Sequence, residues 1–184
     1  MDFKEMTLED IIWDNSQSPE GRKLLKERGL SIEGQIYRQL QLGSYGRADL
    51  ITINYDKSID RIDITVYELK KGRITVEALL QAYRYVTALR RHGFSYDDWD
   101  SEIEFQICLI GDSVDTKSDF TFLYNEMEHV AIYTYDYSIT GIIFKVIGQC
   151  WFHSEEQINE ETQNTLTDYL LTKMEEGPEN DMPK

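Results

Sequence analysis

GRADLITINYDKSIDRIDITVYELKKGRITVEALLQAYRY, residues 46–85, decides how the chain is read. ADLITINY alternates apolar and polar positions and predicts a strand. Asp56-Lys57-Ser58 is turn chemistry, because Asp and Ser side chains bond their own backbone there. DITVYELK, rich in β-branched and aromatic residues, predicts a second strand apolar enough to lie inside a sheet. Gly72 breaks that pattern. Thr75 is then placed to cap a helix running through Arg91, with Val76, Leu79, Leu80, Tyr83, Val86 and Leu89 spaced by threes and fours. Arg90 and Arg91 suit the negative end of its dipole, and Gly93 ends it.

Working outward, residues 7–28 predict one or two short helices. Thr7 caps a turn through Leu8, Ile11 and Ile12, and Ser18-Pro19-Glu20 opens a second helix that stops at Gly29. SIEGQIYRQLQL, residues 31–42, reads as a helical turn leading into a strand. On the other side, FSYDDWDS (94–101) is an acidic loop and EFQICLIG a strand. VAIYTYDYS and GIIFKVIGQCW follow as a hairpin around Ile139-Thr140-Gly141, and residues 155–175 repeat apolar positions as an amphipathic helix. The expected architecture is α/β, with helices on a central mixed sheet, a C-terminal β-hairpin and a final helix. One domain spans 1–175, with a frayed tail at 176–184.

Within the 46–85 stretch, chemistry-bearing residues cluster. Glu68 and Lys70 stand two apart on a strand and share a face, with Leu69 turned to the other. Asp49 lies on the neighbouring strand. Gln81 and Tyr85 stand one helical turn apart, and Glu77 shares their face one turn earlier. Two carboxylates at a strand edge, with the Leu69 carbonyl, form an oxygen-rich set suited to Mg²⁺ or Mn²⁺. A lysine beside them suits metal-assisted attack of water on a phosphodiester. Read singly, each piece is ordinary: a Glu-X-Lys on a strand is usually a solvated salt bridge. A buried structural ion pair accounts for the same residues.

The three pieces in order resemble the PD-(D/E)XK nuclease superfamily, in particular its RecB-like branch and NucS-type endonucleases. That signature runs G-x-x-D, then E-x-K, then Q-x-x-x-Y. Here Asp49 matches the acidic residue, Glu68 and Lys70 the E-x-K, and Gln81 and Tyr85 the helix motif. The likeness covers residues 31–93, within a motif-bearing core of 31–111. It implies a restriction-endonuclease-like αβββαβ core and divalent-metal-dependent hydrolysis of phosphodiester bonds, usually in DNA. It assigns metal ligation to Asp49, Glu68 and the Leu69 carbonyl, with Glu33 as an additional carboxylate. Lys70 would activate water or stabilise the transition state, and Gln81 and Tyr85 would orient the site. Arg47, Arg73 and Arg84 are candidate phosphate contacts, although plain surface bases look the same in sequence.

Charge sharpens the picture. The 184 residues carry a net −15, yet residues 21–93 hold 14 basic and 8 acidic residues, a net +6. Residues 94–184 hold 4 basic and 20 acidic residues, a net −16. Bulk coating of nucleic acid is excluded, and a focused polyanion site is compatible. The acidic half keeps a second reading open: a non-catalytic nuclease-like module in a larger viral, repair or defence complex, meeting a protein partner or a second copy through that half. A third reading is an acidic mimic of nucleic acid. Tyr133, Tyr135 and Tyr137 alternate near Phe144 and Trp151, as core packing or as an interface face.

The rest of the sequence excludes more than it assigns. His92, His129 and His153 share no metal-ligand spacing. Cys108 and Cys150 read as buried thiols in a reducing compartment. No apolar run reaches the roughly 20 residues of a membrane span, and the N-terminus lacks a secretory pattern, so a cytoplasmic protein is expected.

Overall fold

A computed structural model of the chain describes residues 5–94, 102–117, 120, 127–139 and 141–148. Two helices open the fold, α1 (Glu5–Ser16) and α2 (Pro19–Glu27). Because α1 already includes Glu5, Thr7 lies inside the helix rather than at its cap. Ser18 is the expected N-cap of α2: its hydroxyl oxygen accepts the Gly21 N–H at 3.1 Å, and Pro19 fills the first helical position, where no N–H is needed. Residues 31–34, where a helical turn was expected, run instead as irregular backbone into strand β1 (Gln35–Gln41).

Strands β2 (Arg47–Asp56) and β3 (Arg61–Leu69) follow as an antiparallel meander. A two-residue strand, β4 (Arg73–Ile74), leads into helix α3 (Val76–Ala88), which continues through a single π turn at Leu89–Gly93. Thr75 holds the N-cap position, but its hydroxyl donates to the Glu77 carboxylate instead of accepting a backbone N–H. Strand β5 (Glu102–Gly111) then pairs parallel to β3. Parallel neighbours require a crossover, and α3 supplies it. After β6 (Ser113–Val114), β7 (Val130–Ser138) pairs parallel to β5 and turns into antiparallel β8 (Gly141–Gly148), the hairpin expected around Ile139-Thr140-Gly141.

The result is an α/β structure with a six-stranded mixed sheet, ordered β1-β2-β3-β5-β7-β8, and a small β4–β6 ladder beside it. The sheet carries a core on each face. Ile62, Ile64 and Val66 of β3 meet Ala78, Leu79, Ala82 and Val86 of α3 on one side. Tyr67 and Leu69 meet Leu8 and Ile12 of α1 and Leu25 of α2 on the other. Burial on both faces explains why eight of the nine β3 residues are buried. Tyr133, Tyr135 and Phe144 are core residues, whereas Tyr137 is half exposed. Cys108 is a buried free thiol. No described helix is long and apolar enough to cross a membrane. The predicted helix at 155–175, the tail, most of the 94–101 loop, Cys150, Trp151 and His153 lie outside the described residues.

Candidate active site at the end of β2 and β3

Pairing between β2 and β3 runs from Asp56 opposite Arg61 to Leu50 opposite Tyr67. One step further, Asp49 and Glu68 come opposite each other. Glu68 belongs to the α3 face, by alternation with Ile64 and Val66 on β3, and both carboxylates act electrostatically on Tyr85 of α3. Asp49 does not continue the ladder with its backbone alone. Its carboxylate Oδ2 accepts the Leu69 N–H at 2.9 Å. Glu68 is buried to 1% exposure, and its Oε1 accepts a hydrogen bond from Lys70 Nζ at 2.6 Å. Lys70 keeps 29% of its side chain exposed, so the pair reaches from the interior to the rim. A buried carboxylate is costly without such a partner.

Helix α3 closes the site from above. The Gln81 side-chain amide donates to the Tyr85 hydroxyl at 2.7 Å. Burial pushes the Tyr85 phenol up from its ordinary value, the Gln81 hydrogen bond opposes that, and the negative charges of Glu68 and Asp49 push it further up. The phenol therefore senses both carboxylates. Gly46, which turns the chain into β2, has φ 112°, and a Cβ there would stand 3.3 Å from the Tyr85 ring. Only glycine supplies that dihedral without strain while leaving the ring its place.

The segment carrying Lys70 is fastened from the far side of the sheet. Lys70 N–H donates to the Ile110 carbonyl at 2.7 Å, Asp112 N–H to the Gly72 carbonyl at 3.0 Å, and the Tyr135 hydroxyl to the Lys71 carbonyl at 2.8 Å. At Gly111 a Cβ would lie 2.6 Å from the Ile74 side chain and 2.7 Å from the Gly72 carbonyl, so the segment rests directly on β5 backbone. Sequence reading missed these fasteners. An isolated Gly in a strand, where backbones approach closely, was the available signal for Gly111. Nothing in the local pattern marks Tyr135.

Asp49, Glu68, Lys70, Gln81 and Tyr85 thus converge, and the Leu69 backbone lies among them. Arg47, Arg73 and Arg84 are all exposed. Arg84 is close enough to lower the Tyr85 phenol, whereas Arg47 starts β2 and Arg73 starts β4. Glu33 does not join them. Antiparallel pairing sets Gln35 opposite Ile53, so the approach to β1 lies at the other end of β2, four strand residues or about 13 Å from Asp49. There Glu33 accepts from the Ser31 hydroxyl and acts electrostatically on Arg22 and Tyr67, on the α1 face. A ligand role for Glu33 at this site is therefore corrected.

Two carboxylates with a neighbouring backbone carbonyl are hard oxygen donors. They fit Mg²⁺ or Mn²⁺, which commonly retain several waters beside one or two carboxylates. Among the described residues no group of three or more His, Cys, Asp and Glu is placed to hold a metal. His92 meets the Tyr45 ring at a tilt, and His129 faces Glu104. Comparison with protein-family models, curated proteins and solved structures returned no match.

Proposed function

We propose that the chain is a divalent-metal-dependent nuclease of the PD-(D/E)XK type, with a restriction-endonuclease-like core, acting on DNA. The observation that carries this reading is the convergence of half-buried Asp49, buried Glu68 and rim-exposed Lys70 at one strand end. A three-stranded meander, a crossover helix and a parallel fourth strand support the core.

Asp49, Glu68 and the Leu69 carbonyl would hold the cation, which supplies a water of lowered pKa and polarises a phosphoryl oxygen. Lys70 places a positive charge beside the attacked phosphorus, offsetting negative charge as the water oxygen bonds to it and the P–O bond to the leaving alkoxide breaks. Glu68 holds the lysine at that position. Gln81 fixes the Tyr85 hydroxyl, which can donate to a phosphate oxygen. Arg47, Arg73 and Arg84 offer exposed charge for the flanking backbone.

The Lys70–Glu68 contact also supports a second reading, a nuclease-like module without chemistry, because a carboxylate and an ammonium in direct contact can serve as a structural ion pair. One experiment separates the two. Linear, circular and branched DNA are incubated with the protein in Mn²⁺, Mg²⁺ or EDTA, alongside Glu68→Ala. Cutting that needs metal and disappears in the variant supports the nuclease. Folded protein that cuts nothing and binds no Mn²⁺ supports the module.

A further inference from the structure

Of the bonds that fasten the Lys70 segment, one comes from a strand that is not a neighbour of β3. In the sheet, β5 lies between β3 and β7. Tyr135 of β7 nevertheless donates its hydroxyl to the Lys71 carbonyl at 2.8 Å, across 64 residues of sequence. The register shows how it arrives there. Pairing of β5 with β7 ends at Gly111 opposite Thr134, and the chain then leaves β7 to pair Ser113 with Arg73 of β4. Tyr135 is the first β7 residue beyond that departure, so its side chain reaches the Lys71 carbonyl past the end of the β5 ladder. Its own place is set from the other side. It pairs with Phe144 of β8, and the Phe144 N–H donates to the Arg28 carbonyl at 2.8 Å.

The Tyr135 ring is buried in the α1-face core, whereas Glu68 belongs to the α3 face. A phenol on that side acts on the site through backbone. The bonds bracket the lysine: its own N–H is held by the Ile110 carbonyl at 2.7 Å, and the peptide after Lys71 is held by Tyr135. Peptide units are planar, so fixing one on each side narrows the dihedrals that aim the lysine side chain. Lys70 Nζ then meets Glu68 Oε1 at 2.6 Å. A phenylalanine at 135 would fill the same core, and a buried hydroxyl is costly unless it is bonded.

We infer that Tyr135 is a positioning residue for Lys70: by holding the Lys71 carbonyl it fixes the direction in which the lysine side chain leaves the backbone, and so keeps the ammonium at Glu68 and beside the attacked phosphoryl group. The phosphoryl part of this inference rests on the proposed nuclease reading; the geometry of the lysine segment does not.

The test uses the full chain and two readouts. Tyr135→Phe keeps the ring and its packing and deletes the donor. Tyr133→Phe deletes another buried hydroxyl from the same core and serves as the control. The first readout is hydrogen exchange at the Lys70 amide. Tyr135→Phe is expected to speed it about tenfold with central β3 and β5 amides unchanged, while Tyr133→Phe stays near the parent. The second readout is steady-state DNA cleavage in Mn²⁺, with calorimetric Mn²⁺ binding beside it. Tyr135→Phe should lower kcat about tenfold and leave KM and the Mn²⁺ dissociation constant within about twofold, because a misdirected lysine fails the transition state while the carboxylates stay in place.

Parent-like Lys70 exchange in Tyr135→Phe overturns the inference. An equal acceleration in Tyr133→Phe does the same, since the effect would then belong to core packing. In a parent that cleaves DNA, an unchanged kcat in Tyr135→Phe also overturns it, as does a loss of KM or Mn²⁺ affinity as large as the fall in kcat. A parent that cleaves no DNA overturns the nuclease reading only, and the role of Tyr135 is then decided by the amide alone.

Discussion

Strand β3 carries a charged pair two residues apart at each end, and the two pairs differ in what surrounds them. At the start, Arg61 contacts Asp63 at 2.7 Å and Glu104 of β5 at 2.8 Å, and Glu104 also contacts His129 at 2.8 Å. At the end, Lys70 contacts Glu68, and Asp49 lies opposite on β2. The pairs face opposite sides of the sheet. In the first, a planar guanidinium is shared between two carboxylates. In the second, a flexible lysine reaches from the rim to a carboxylate more deeply buried than Asp63, with a second carboxylate and a phenol nearby. The same sequence spacing yields a structural clasp in one place and a candidate reaction centre in the other. Spacing alone does not distinguish them; the neighbours contributed by other strands do.

Substitutions sharpen that contrast. The largest effect is expected on catalysis. Asp49→Ala, Glu68→Ala and Lys70→Ala should each lower metal-dependent DNA cleavage by at least about a hundredfold per folded molecule. Glu68→Gln should abolish cleavage while leaving the urea midpoint unchanged or raised, because it removes a buried charge at constant shape. Equal cleavage by all these variants would reduce the second pair to another clasp. At the first pair, Arg61→Ala strands Asp63 and Glu104 together and should cost about 3 kcal/mol in urea denaturation, with cleavage per folded molecule unaltered. A loss of specific activity there would break the contrast from the other side.

Gly46→Ala is expected to cost about 1–2 kcal/mol by the same assay, because the new side chain meets a left-handed dihedral and the Tyr85 ring together. A further effect concerns pH. Burial pushes the Asp63 carboxyl up to about 6 from 3.8, against the lowering influence of Arg61. Between those values the folded protein keeps a proton that the unfolded chain has released. This group therefore contributes most below pH 3.8, and its contribution declines as pH rises to about 6. The stability difference between the parent and Asp63→Asn, followed by denaturation from pH 3.5 to 7, should change across that window and level off above about 6.

The parts of this architecture written in local pattern were legible in the sequence. DITVYELK is strand β3, the helix after Thr75 lies over it, and Ser18-Pro19 opens α2, because each depends on near neighbours along the chain. Asp49, Glu68, Lys70, Gln81 and Tyr85 could be gathered from spacing because strand and helix periods fix which side chains share a face. Glu33 was misplaced because its location depends on the register of β1 against β2, which adjacent residues do not encode. Tyr135 was invisible for a related reason. In VAIYTYDYS it is one tyrosine among three, and the carbonyl it holds lies 64 residues away. The π turn after α3 likewise follows from Phe94, buried against Phe105, whose N–H donates to the Leu89 carbonyl.

The fastening of the Lys70 segment has a consequence in time. A chain grows from its N-terminus and begins folding as it is made. Glu68 and Lys70 are synthesised long before the groups that hold their segment in place. The Ile110 carbonyl belongs to β5, and the Tyr135 hydroxyl that reaches the Lys71 carbonyl comes 64 residues after it. Until β5 has been added, β3 is an open edge, and until β7 follows, the lysine segment lacks the Tyr135 hydroxyl. A chain interrupted before β7 holds every residue of the candidate centre but lacks one of the bonds that fasten it. The last of these fasteners is therefore made only when the sheet has grown past β5.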